Sequence, residues 1–219
     1  MKRVLVTGAS GWLGRHCLPL LAARGYDVHA VAVRSPARPD EHVRWYQADL
    51  LNEQHGAALM AAVRPTHLLH LAWCTTPGVY WTTTENFRWV RASLALLQAF
   101  ATHGGERVVS AGTCAEYDWR YGYCAETITP LAPATIYGTC KNALQSLTAS
   151  FSAATGMSSA WGRLFFLYGP YEHPARLVPA VIRALLRNEE ARCTHGNQVR
   201  DYLFIADAAA AFVALLDSG

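Results

Sequence analysis

The sequence predicts an α/β fold, a doubly wound parallel sheet with helices on both faces and a smaller C-terminal lobe. Three observations carry that expectation. Short apolar or β-branched runs alternate with longer helical patterns, which is how parallel strands joined by crossover helices read. The first run passes straight into evenly spaced glycines that open a helix. Hydrophobic residues make up 52% of the 219 positions and charged residues only 16%, enough apolar material to cover a sheet on both sides.

Taken in order, the strand candidates are "RVLV" (3–6), "DVHAVAV" (27–33), "VRWYQA" (43–48), "HLLHLA" (67–72), "RVVSAG" (107–112) and "SAWGRLFF" (159–166). Each is a short apolar or β-branched run, as strands buried on both faces are. Helical patterns fill 12–24, 52–63, 85–103 and 134–155. From 167 the texture changes: "LYGPYEHPARLVP" carries three of the ten prolines. A helix at 177–187, the segment "RDYLFI" and an alanine-rich helix follow. We therefore expect one domain at 1–166 and the start of a smaller lobe at 167–219, with the lobe incomplete.

Nineteen basic and sixteen acidic side chains are scattered without a Lys/Arg block, which speaks against nucleic-acid or membrane partners. The six cysteines show no CxxC spacing, and five sit in or beside apolar runs, as reduced buried thiols do. The start "MKRVLVTG" has no signal-peptide cleavage pattern, and no run is long enough to span a bilayer. A cytoplasmic location is the expectation. His67 and His70, three apart on a strand, point to opposite faces and cannot share a metal, and His173 and His195 read as loop histidines. No metal is expected.

The segment "VTGASGWLGRH" places Gly8, Gly11 and Gly14 at three-residue intervals between the first strand and the first helix. Such a turn aims free backbone N–H groups and the positive helix end at one point, and a pyrophosphate can approach if no side chain intervenes. This reads as the loop of a Rossmann-like dinucleotide site, with Trp12 and Leu13 beside the glycines; an ordinary tight strand–helix turn is the alternative. A carboxylate at the end of the second strand would accept from the adenosine 2′-hydroxyl. Here "VHAVAVRSPARP" has no acid between Asp27 and Asp40 and carries Arg34 and Arg38 instead. A guanidinium can grip a 2′-phosphate with two hydrogen bonds, so NADP is expected ahead of NAD; a plain surface arginine is the alternative.

In "IYGTCKNAL" (136–144) a tyrosine and a lysine stand four apart on one helix face. Together with the glycines, "ADL" (48–50), "HLAW" (70–73) and Thr113 after the fifth strand, Tyr137-x-x-x-Lys141 completes an ordered set. That set resembles the extended short-chain dehydrogenase/reductase family, in its branch of nucleotide-sugar epimerases, dehydratases and reductases. The segments "GRLFFLYGP" (162–170) and "VRDYLFIAD" (199–207) are similar to later family motifs, so the resemblance covers nearly the whole chain. It implies that Tyr137 is the general acid/base, that Lys141 holds the nicotinamide ribose and lowers the phenol's pKa, and that Thr113 hydrogen-bonds the reacting oxygen. It also implies Asp49 and Leu50 near the adenine, Leu71, Ala72 and Leu164 along the cofactor, and Arg200 on the substrate's nucleotide phosphates. Asp49 could equally cap the helix near Asn52, and Arg200 could pair with Asp201 or Glu189.

Three departures narrow the reaction. The family's 4,6-dehydratases carry an Asp-Glu pair after the Ser/Thr; here Cys114 and Ala115 stand there, which disfavours dehydration. The family's substrate-binding Asn is replaced by Phe166, and its helix Asn aligns with Trp89. Five aromatics between Trp73 and Trp89 could stack on a sugar or base, with Trp73 and Phe166 as substrate residues, or could serve core or subunit packing. The expected activity is NADPH-dependent reduction of a 4-keto nucleotide-linked sugar. The alternatives are an epimerase using the same Thr113, Tyr137 and Lys141, or a non-catalytic NADP-binding sensor. The helices at 85–103 and 134–155 have more than one apolar face, and in the family they commonly form a dimer interface, so a homodimer is expected.

Overall fold

The computed structural model describes residues 2–34 and 41–218. Six strands are formed: β1 (Arg3–Thr7), β2 (Asp27–Ala32), β3 (Val43–Gln47), β4 (His67–His70), β5 (Arg107–Thr113) and β6 (Ser158–Leu164). They pair in the order β3-β2-β1-β4-β5-β6, each neighbour parallel. Chain winding reverses between β1 and β4, so the loops leaving their carboxyl ends part and open a crevice between them.

The strands alternate faces with a period of two, and this sorts the core into two layers. Val4 and Val6 of β1 face α1 (Trp12–Ala23) and α6 (Ile205–Asp217), packing with Cys17, Leu18, Leu21, Phe212 and Val213. Leu5 turns the other way, toward Met60 of α2 (Glu53–Val63), Leu96, Leu97 and Phe100 of α3 (Glu85–Thr102) and Leu144 of α4 (Ile136–Thr155). Each such side chain, fully removed from water, contributes about 1.5–3 kcal/mol. The doubly wound Rossmann-like sheet is as the sequence predicts.

The stretch beyond 166 divides in two. β7 (Phe166–Tyr168) and β8 (Tyr202–Phe204) form a separate parallel pair, with α5 (Leu177–Leu186) between them in sequence. The strand expected at 159–166 breaks at Phe165, whose ring packs against Tyr117 and Trp119 while β7 joins the second sheet. In contrast, α6 returns to the main sheet. Buried Arg107 of β5 donates to the Leu215 carbonyl at 3.0 and 2.7 Å, and Tyr26 Oη donates to Asp217 at 2.7 Å. A guanidinium on a helix's last carbonyls suits the negative end of the dipole. All six cysteines are free thiols, and no helix among the described residues is long and apolar enough to cross a membrane.

Candidate active site

A cleft of about 480 Å³ opens at the carboxyl ends of the strands, floored by the glycine loop and running to Tyr137 and Lys141. Gly8 sits at φ +65°, where side chains are strained, and a Cβ there would meet the backbone of Leu71 and Ala72 at 2.8 Å. A Cβ on Gly14 would drive into the Gly8 carbonyl. Helix α1 has Gly11 as its N-cap with no side-chain cap, so the first-turn N–H groups of Trp12, Leu13 and Gly14 have no intrahelical partner and face the cleft. A cradle bare of side chains and lined with N–H donors fits a pyrophosphate.

The floor is braced by a network that sequence reasoning missed. Thr7 Oγ1 accepts from the Leu71 and Ala72 amides at 3.1 and 3.2 Å, and lies 2.8 Å from His70 Nδ1. With both lone pairs taken, its proton must go to Nδ1, which leaves His70 Nε2–H to donate to Ser93 Oγ at 2.8 Å. Burial pushes His70 down to about 3, so the ring is neutral, as this chain requires. No spacing rule links residues 7, 70 and 93; the β1–β4 pairing sets Thr7 beside His70, and the packing of α3 brings Ser93 to the ring.

At the other end, Thr113 closes β5 and Tyr137 opens α4, whose N-cap Thr135 accepts from Gly138 N. The Thr113 and Tyr137 side chains both line this end of the cleft, and Thr113 acts to lower the phenol's pKa. One turn on, Lys141 Nζ donates to the Ala111 carbonyl at 2.8 Å and lies 3.9 Å above the Trp73 ring. Tyr80 and Trp81 meet the Tyr137 ring edge-on at centroid distances of 4.9 and 5.7 Å, and Trp73 lies at 6.5 Å. The aromatic segment therefore builds a cage around the phenol.

That cage corrects one expectation. Burial raises the Tyr137 pKa well above its ordinary value, with Thr113 pulling it down and Tyr80, Cys114 and Glu116 adding to the rise. Burial also lowers Lys141 to about 7, with Glu116 opposing. A depression of the phenol by Lys141 is not what this geometry gives: burial is the largest influence on each group, and Lys141 is not among the groups that shift Tyr137. Both are driven toward their neutral forms.

The remaining candidates separate. Gly8, Gly11, Trp12, Leu13, Gly14, Leu50, Leu71, Ala72, Leu164 and Phe166 line the cleft with Trp73, Thr113, Tyr137 and Lys141. Trp12 also donates its indole N–H to the Pro170 carbonyl at 2.7 Å, tying α1 to the loop after β7. Arg34 is exposed and Asp49 braces the turn through Leu51 N at 3.0 Å; neither lines the cleft, and Arg38 lies outside the described residues. Asn52, not Asp49, caps α2. Arg200 pairs with neither Asp201 nor Glu189; its guanidinium rests 4.9 Å from the Phe166 ring and 6.0 Å from Trp119. Arg176, ahead of α5, lines the cleft mouth and was not anticipated. No carboxylate lines the cleft among the described residues.

The arrangement is a dinucleotide cradle leading to two hydroxyls and an amine at one point, and comparison with known proteins agrees with it. The model of the NAD dependent epimerase/dehydratase family matches residues 4–219. The chain is 24% identical to the dTDP-D-glucose 4,6-dehydratase of Mus musculus, covering all of this chain and 65% of that protein. It is 28% identical to the UDP-glucose 4-epimerase of Corynebacterium glutamicum, over 99% of this chain and 71% of the other. The fold superposes on UDP-glucose 4-epimerase from Thermotoga maritima with a TM-score of 0.85 at 23% identity, over 99% of this chain and 74% of that one. Similarity across the whole described sheet, together with the glycine cradle and the Tyr137–Lys141 helix, makes this chain a member of the NAD-dependent epimerase/dehydratase family, in the extended short-chain dehydrogenase/reductase class.

Proposed function

We propose that this chain binds a nicotinamide dinucleotide across the carboxyl ends of β1 and β4, and that the protein acts on nucleotide-linked sugars by reversible oxidation at a ring hydroxyl, as an epimerase. The observation that carries this reading is that Thr113, Tyr137 and Lys141 converge in the same cleft that the glycine loop opens. Bound there, the nicotinamide would accept and return hydride. Gly8, Gly11 and the first-turn amides of α1 would hold the pyrophosphate, and Lys141, one turn from Tyr137, would meet the ribose. Tyr137 Oη holds or releases the proton of the reacting oxygen, with Thr113 Oγ1 in the same cleft beside it. The aromatic cage keeps water from both. Arg200 and Arg176, neither paired with a carboxylate among the described residues, would meet the anionic diphosphate of the substrate.

Dehydration does not suit this site. Cys114 and Ala115 carry no carboxylate, and burial pushes the Cys114 thiol up to about 11, so it is a poor acid or base. The carboxylate of Glu116, next along the chain, is fully buried and bonded to Arg163. A second reading, NADPH-dependent reduction of a 4-keto sugar, is favoured by one feature: among the described residues no carboxylate lines the cleft to repel a 2′-phosphate. Titration calorimetry with NAD⁺ and NADP⁺ tests the cofactor. Incubation with nucleotide sugars, followed by proton NMR, tests the reaction. An inverted ring carbon with no net change in reduced cofactor marks the epimerase, and stoichiometric NADPH loss with a 4-keto sugar marks the reductase. If Tyr137→Phe leaves either conversion intact, the proposal fails. We further propose a homodimer through α3 and α4, on which Phe87 and Leu147 are exposed.

A further inference from the structure

Glu116 lines no part of the cleft, yet its side chain is entirely buried three residues beyond Thr113. A carboxylate so placed must have every oxygen satisfied to persist. It has: Oε1 accepts from the Thr113 amide at 2.8 Å and from Trp161 Nε1 at 3.0 Å, and Oε2 accepts from Arg163 Nε at 2.6 Å. Trp161 and Arg163 belong to β6, so one carboxylate ties the end of β5 to its neighbour strand. Arg163 in turn lies 5.2 Å from the Tyr117 ring centroid. The cluster closes only because residue 112 is glycine, since a Cβ there would run into the Trp161 indole nitrogen and approach Glu116 Oε1 to 2.7 Å. The Thr113 side chain answers by accepting from the Ala115 amide at 3.2 Å, so threonine and glutamate cap the turn reciprocally.

We propose that Glu116 is a positioning residue for the reaction: anchored to β6 through Arg163 and Trp161, it fixes the Thr113 backbone so that the Thr113 hydroxyl stays in the cleft beside the Tyr137 phenol. Thr113 is the last residue of β5, opposite Leu164 at the end of the β5–β6 ladder, and its amide bonds to this carboxylate. Any rotation of that peptide would swing the hydroxyl away from the Tyr137 end of the cleft. Its activity readout rests on the proposed oxidoreduction; its structural readout does not.

Two double variants isolate the acceptor from the charge. Glu116→Val with Arg163→Met removes the buried ion pair as a unit, which avoids stranding one charge, and leaves the Thr113 amide without its acceptor. Glu116→Gln with Arg163→Met also removes both charges but keeps a side-chain oxygen for the Thr113 and Trp161 N–H groups. The Thr113 χ1 populations are read from side-chain scalar couplings by NMR, and kcat and KM from the epimerisation assay, in the 219-residue chain. We expect one Thr113 rotamer in wild type and in the glutamine variant, and averaging in the valine variant. In the valine variant kcat falls about tenfold or more with KM nearly unchanged, and the glutamine variant recovers most of that loss. An unaltered rotamer in a folded valine variant, or equal kcat in the two double variants, overturns the proposal and makes the cluster a mere strand brace. If wild type converts no nucleotide sugar, the functional reading fails, and the rotamer comparison still decides the positioning role.

Discussion

Replacing Lys141 with methionine should make the fold more stable at neutral pH while destroying the chemistry. The ammonium is buried against Trp73 and the Ala111 carbonyl, and burial brings its pKa from 10.5 to about 7. Between those values the unfolded chain holds a proton that the folded chain has released, so stability rises with pH across that window. At and below neutral pH the whole penalty is present, on the order of 4–5 kcal/mol. The variant forfeits the cation–π contact, worth about 2 kcal/mol, and one hydrogen bond, worth about 1 kcal/mol. Methionine preserves the length and apolar stem, so little is lost in packing. The balance favours the variant by about 1–2 kcal/mol, a rise in melting temperature of about 2–8 °C for a chain of this size. Scanning calorimetry from pH 6 to pH 10 would show that advantage shrinking as wild type sheds its proton. A variant that melts below wild type at pH 7, or a gap that does not change with pH, would refute the reasoning.

Other perturbations act on the cradle and the surface. Thr7→Val strands the Ala72 amide and the His70 ring, costing about 2–4 kcal/mol by thermal or urea unfolding; an unchanged midpoint would dismiss the network. Gly8→Ala forces a Cβ into the Leu71–Ala72 backbone at a positive φ, and calorimetry should show dinucleotide affinity reduced by about tenfold or more with the sheet still folded. Leu147→Glu places a charge on the exposed α4 face, and if wild type forms the proposed dimer, light scattering should report a monomer for the variant; equal masses would remove that face from the interface.

Much of this molecule was legible in its residues because the relevant physics is local. The glycines are read from their spacing, since a tight strand–helix turn needs them wherever the rest of the chain goes. Tyr137 and Lys141 are read from the helical repeat, which puts them on one face regardless of what covers it. Glu116 was not legible. In "CAEYDW" it looks like a turn carboxylate bound for solvent, and its partners Trp161 and Arg163 become neighbours only when β5 pairs with β6. Thr7, His70 and Ser93 were hidden for the same reason. Arg34 and Asp49 show what spacing alone leaves open: each occupies a suggestive place in the sequence, and both are exposed and stand outside the residues that line the cleft.

The pKa values of the site depend on this non-local packing, and so does its capacity to move a proton. The family resemblance implies a Lys141 cation pulling the phenol down. The aromatic cage instead desolvates both groups, raising one and lowering the other. A phenol in that setting retains its proton and is suited to donate to a developing alkoxide, whereas removing a proton from a hydroxyl requires positive charge beside it. Near neutral pH Lys141 is divided between its charged and neutral forms, so it can supply that charge to part of the population. Glu116 raises the Lys141 pKa and thus favours the charged form, although it lines no part of the cleft. The carboxylate that holds Thr113 in place therefore also biases the charge beside Tyr137, and geometry and proton affinity at this site share one buried residue.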